Sequence, residues 1–93
     1  MGTFHDNMGE LHGITVVVKT PDGSRAWIGR CHEERPEGML LLDVAAYVEG
    51  EGEKTLAEAI AQAARLGHWP QHKRLLVPSA EIGTVTRLGE LRG

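Results

Sequence analysis

The chain is poor in the residues that most often announce a chemistry. Its single cysteine, Cys31, excludes an intramolecular disulfide and a cysteine-rich zinc site within one chain. Aromatic residues make up only 4% of it, which leaves few rings for base stacking. There is no excess of positive charge either. Thirteen acidic residues face 10 basic ones, for a formal net charge of -3. Proteins that grip nucleic acid through phosphates usually carry a basic excess, so the balance argues against a non-specific polyanion binder but leaves a local basic patch open. No apolar run approaches the length needed to cross a bilayer. Met1 to Gly13 lacks the basic start and apolar run of a signal peptide, and Asp6 stands where an N-myristoylation signal has Ser or Thr. A cytoplasmic location, with no membrane partner, is the expectation.

What remains is an ordinary globular composition, 41% hydrophobic and 25% charged, in 93 residues. That length makes one domain. A domain so small buries a modest share of its surface, so a homo-oligomer is expected on size alone. Residues 1–11 show no periodicity and read as a loosely ordered arm, leaving a single domain over 12–93. Ile14 to Val18 is β-branched throughout and predicts a strand within His12 to Thr20. Pro21-Asp22-Gly23 predicts a turn, and Ser24 to Cys31 a returning strand. Its alternation puts Ala26, Ile28 and Arg30 on one face and Trp27, Gly29 and Cys31 on the other. His32 to Gly38 reads as a polar turn, and Met39 to Val48 as a third, bent strand.

Glu49 to Glu53 is an acidic loop without the ordered spacing of a calcium site. A helix is predicted at about 55–66, with Thr55 as N-cap and Glu58 completing a capping box. Leu56, Ile60, Ala63 and Ala64 form its apolar face, and Gly67 and Pro70 end it. Arg74 to Val77 and Glu81 to Leu88 then read as two short strands around a bend at Pro78-Ser79.

This order of elements resembles the Sm-like small β-barrel, the family of the Sm and LSm proteins and their bacterial relatives. Ile28-Gly29 and Leu40-Leu41-Leu42-Asp43 match the hydrophobic and glycine spacing of the family's first motif. Val77-Pro78-Ser79, followed by Ile82 and Val85, matches that of its second. The resemblance covers roughly Ile14 to Leu88 and implies a mainly β, five-stranded barrel with one inserted helix. It also implies a ring-forming oligomer and RNA as a partner class. The RNA-contacting pattern is not kept: Arg35 and Met39 stand where the family commonly has Asp and Asn, and Pro78-Ser79 replaces its Arg-Gly.

Two sets of residues could carry chemistry, and each has a plainer reading. His5, His12, His32, His68 and His72 are metal-ligand types, yet none has strong motif spacing, and Pro70 interrupts the pair at His68 and His72. Exposed loop histidines are the plainer account. His72-Lys73-Arg74, with Arg65 and Trp69 upstream, combines cations with an aromatic, as nucleic-acid surfaces do. The plainer account of Trp69 is an anchor holding the helix to the sheet. Cys31 beside His32 is poorly arranged for proton transfer, because neighbours on a strand face opposite ways, and Cys31 reads as a packing residue. The expectation is a non-enzymatic, oligomeric interaction module without a cofactor. Atypical RNA or DNA binding is its alternative, and a small metal-binding protein a further one.

Overall fold

In the computed structural model, which describes residues 12–50 and 55–91, the expected strands and helix form in the expected order. They are β1 (Thr15–Lys19), β2 (Arg25–Arg35), β3 (Gly38–Val48), α1 (Leu56–Leu66), β4 (His72–Pro78) and β5 (Thr84–Arg87). Short 3-10 turns at Ser79–Glu81 and Leu88–Leu91 follow the last two strands. The strands make one antiparallel sheet in the order β4-β3-β2-β1-β5. The sheet is open rather than closed into a barrel, with β4 and β5 at its two ends.

β1 and β2 are joined by the Pro21-Asp22-Gly23 turn. The Asp22 carboxylate accepts from the Ser24 amide at 3.0 Å and from the Thr20 and Ser24 hydroxyls at 2.7 and 2.8 Å. These donors, the Ser24 amide foremost, hold Asp22 down to about 2. β2 runs further than the sequence suggests. His32 to Arg35 continues the strand, with Arg35 opposite Gly38, and the turn shrinks to Pro36 and Glu37. The charges that resemble a loop are accommodated on the strand because Arg35 pairs with Glu33 at 2.8 Å.

The ladder between β2 and β3 shifts register twice, between Ile28 and Arg30 and between Cys31 and Glu33. Such bulges bend a strand and increase its twist. On β3 the irregularity centres on Asp43, whose φ of 54° is a left-handed value that Asp tolerates better than most residues. Gly29 lies against this kink. A Cβ there would come within 3.1 Å of both the Leu42 carbonyl oxygen and a Val44 methyl, so the close approach of the strands favours glycine.

The sheet buries apolar side chains on both faces. On one, Val16, Val18, Trp27, Cys31, Met39, Leu41, Val44 and Val77 form a core. On the other, Val17, Ala26 and Ile28 pack against Leu56, Ile60, Ala63 and Ala64 of α1 and against Leu88. The face assignment of Ala26, Ile28, Trp27 and Cys31 is the one their alternation predicts.

The helix begins as expected. The Glu58 amide donates to Thr55 Oγ1 at 3.1 Å, and the Thr55 amide donates to the Glu58 carboxylate at 2.9 Å. It ends at Gly67, whose φ is 90° and whose amide donates to the Ala63 carbonyl at 2.8 Å. Two outcomes follow. Thr55→Ala removes the hydroxyl that satisfies a helix amide and should cost about 1 kcal/mol, read as a lower denaturation midpoint. For Asp22, the folded value of about 2 lies below the ordinary 3.8, so its contribution is present above the ordinary value and lost as pH falls toward 2. Denaturation followed across that window should show a shallower loss of stability in Asp22→Asn than in the wild type.

Candidate functional site

The residues singled out for nucleic acid gather where α1 gives way to β4. Arg65 is exposed on the last helical turn. Beyond Gly67, the chain is tied down on either side of Trp69. His68 Nε2 lies 2.7 Å from the Asp43 carbonyl oxygen, and the Gln71 amide donates to the Val44 carbonyl at 2.7 Å. Both ties reach the kinked part of β3, so the bulge on that strand positions the connection.

Between those ties Trp69 projects outward, 84% exposed. This corrects the reading of Trp69 as a helix anchor. The tryptophan that packs into the core is Trp27, 8% exposed, with the Arg25 guanidinium 5.3 Å from its ring centroid. His72, Lys73 and Arg74 are all exposed on β4, an edge strand. The Glu33 carboxyl is lowered chiefly by its hydrogen bond from Arg35, with a smaller electrostatic contribution from Arg74.

Trp69 shares a cleft of about 230 Å³ with Tyr47, Gln62, Ala59, Ala63 and Gly67. The adjoining hollow shares Ala63 and Gly67 with that cleft and is lined also by Arg65 and His68. Tyr47 and Gln62 were not visible as site residues in the sequence. Tyr47 reads as one more apolar position of a strand, and Gln62 as part of the solvated helix face. Only the packing of α1 across the sheet sets them beside Trp69.

The histidines are dispersed over several elements. His5 lies outside the described residues. His12 and His32 have ring centroids 5.6 Å apart, and His12 Nδ1 is 2.6 Å from the His32 carbonyl oxygen. His68 is engaged by Asp43, and His72 stands on β4 opposite Val44. Among the described residues, no three His, Cys, Asp or Glu side chains come together as a metal would require. Of the acidic loop, 51–53 lies outside the described residues, and Glu49 accepts from the Leu56 amide at 3.2 Å.

The Pro36-Glu37 turn, which lies between Arg35 and Met39, meets the turn at Ser79. The Ser79 hydroxyl donates to the Pro36 carbonyl at 2.8 Å, and the Ser79 amide donates to the Glu37 carbonyl at 2.9 Å. Arg35 is paired with Glu33, and Met39 is buried in the core. Met39 therefore packs rather than presenting itself to a ligand. No protein-family model matches the chain, and no curated protein matches it.

Cys31 has no access to solvent, and burial pushes its thiol up to about 11. A thiol held neutral inside the core is a poor nucleophile. The folded protein should react with a thiol reagent such as Ellman's reagent at pH 8 far more slowly than the denatured chain. Equal rates would mean that Cys31 reaches solvent.

Proposed function

We propose that the chain is a non-enzymatic, Sm-like interaction module that works as a homo-oligomer through the edges of its sheet. One observation carries this reading: among the described residues, β4 and β5 each pair on one side only, at opposite ends of one sheet. An open edge presents a row of unsatisfied amides and carbonyls, and pairing with a strand of another chain satisfies them. Because the two edges belong to different strands, joining β4 of one copy to β5 of the next is a head-to-tail contact, which closes into a ring or propagates.

The Sm-like part of the reading is supported by five antiparallel strands with β1 between β2 and β5, by a 3-10 turn between the last two strands, and by the contact of the Pro36-Glu37 turn with the turn at Ser79. Helix α1 occupies the connection between β3 and β4, which the family tolerates as variable. Burial of the sole cysteine removes the one thiol nucleophile that the sequence offered. A second reading, binding of RNA or DNA at an atypical surface, is favoured by one observation, the outward-facing Trp69 beside a run of cations.

Light scattering should give a mass that is a multiple of the 10.1 kDa chain at micromolar concentration. A glutamate in place of Leu76, a partly exposed apolar residue on the β4 edge, should shift the population toward the single chain with an unchanged far-ultraviolet spectrum. A wild type that stays monomeric well above micromolar concentration overturns the reading.

A further inference from the structure

The connection between α1 and β4 presents its large aromatic to solvent. Trp69 is 84% exposed although the chain on either side of it is fixed by His68 and by the Gln71 amide. The ring is therefore held out from the surface on an anchored backbone. It borders a cleft lined also by Tyr47, Gln62 and the small residues Ala59, Ala63 and Gly67. Two aromatic side chains among the lining of an unfilled space suit a planar ring, which stacks on either of them. The Gln62 amide, with a donor and an acceptor, suits the edge of a heterocycle.

Charge selects among planar ligands. The whole chain is acidic, yet between Glu58 and Glu81 it carries no carboxylate and carries Arg65, Lys73 and Arg74. Arg65 lines the hollow that adjoins the cleft through Ala63 and Gly67. Arg65 thus stands in the hollow beyond Ala63 and Gly67 rather than in the cleft itself, and guanidinium is the group best matched to phosphate oxygens. A planar heterocycle joined to a phosphate is a nucleotide unit.

We propose that the Tyr47–Trp69 cleft receives a nucleobase and that Arg65, in the adjoining hollow, takes the phosphate attached to it. The inference rests on the nucleic-acid reading above and is independent of edge pairing. The nucleotide comes either from a single strand or as a free mononucleotide. One cleft with one charged partner predicts micromolar rather than nanomolar binding.

The test uses the full chain with fluorescein-labelled oligo-A and oligo-U, and with AMP and UMP, at about 50 and about 150 mM salt. Binding should quench the emission of Trp69, the solvent-facing tryptophan, while Trp27 stays shielded. Trp69→Ala should weaken binding roughly tenfold, whereas Trp69→Phe should retain most of it. Arg65→Gln should weaken binding and flatten its salt dependence. Because Trp69 and Arg65 are exposed, these variants should melt with the wild type. Oligonucleotides that bind far more tightly than mononucleotides identify a single strand as the source, and equal affinity identifies the free nucleotide. Wild-type binding that is indifferent to Trp69→Ala overturns the cleft and leaves nucleic-acid binding elsewhere on the chain. Absence of binding to all four probes overturns both.

Discussion

The sequence Val16-Val17-Val18 places apolar side chains on both faces of β1, and Ala26-Trp27-Ile28 does the same on β2. A sheet that is apolar on two faces has to be covered twice, since each large aliphatic side chain left in water forgoes about 1.5–3 kcal/mol. The rest of the fold follows from that demand. One face gathers side chains from β1 to β4 with Ile82 and Val85 beyond, and the other is closed by the single helix. Alanines at 63 and 64 bring α1 close to the strands, and the cap at Thr55 and the stop at Gly67 give it the length to cover them.

Covering both faces bends the strands. β2 and β3 are 11 residues each, long enough to bear two register shifts between them. Gly29 and Asp43 occupy the kink, one where a side chain would press tightly on β3 and the other with a left-handed backbone. That kink is also where His68 and Gln71 are tied. The position of Trp69 is thus a consequence of how β3 bends, and a substitution that straightened the strand would move the ring without touching it.

Much of the fold was legible because its signals are local. The turn at Pro21-Asp22-Gly23, the face assignment on β2 and both ends of α1 each depend on a few adjacent residues, and each stands as the sequence suggests. The extension of β2 through His32 to Arg35 was not legible. Its charges resemble a loop until Arg35 is seen paired with Glu33. The two tryptophans show the limit more sharply. Trp27 sits in an alternating strand and is buried as its neighbours require. Trp69 follows a helix, where a tryptophan commonly packs back, and here it does not. Which way it faces is decided by hydrogen bonds to β3, residues far away in the chain. The cleft was invisible for the same reason, because Tyr47, Gln62 and Trp69 come from three elements that only the packing of α1 brings together.

The two proposals, though tested separately, bear on one another through concentration. A single cleft with one arginine beside it makes a weak site. An edge-paired oligomer repeats that site once per chain, and a single strand bound at one cleft reaches the next as an intramolecular event. Avidity of this kind multiplies affinity by orders of magnitude without any new contact, provided the spacing suits the strand. Lys73 and Arg74 lie on the edge strand β4 itself, so pairing that edge with β5 of a neighbour places their charge along the seam between copies. Weak recognition in each chain and strong recognition by the assembly are then compatible with a net charge of -3, because Arg65, Lys73 and Arg74 share a stretch without carboxylates that the assembly repeats.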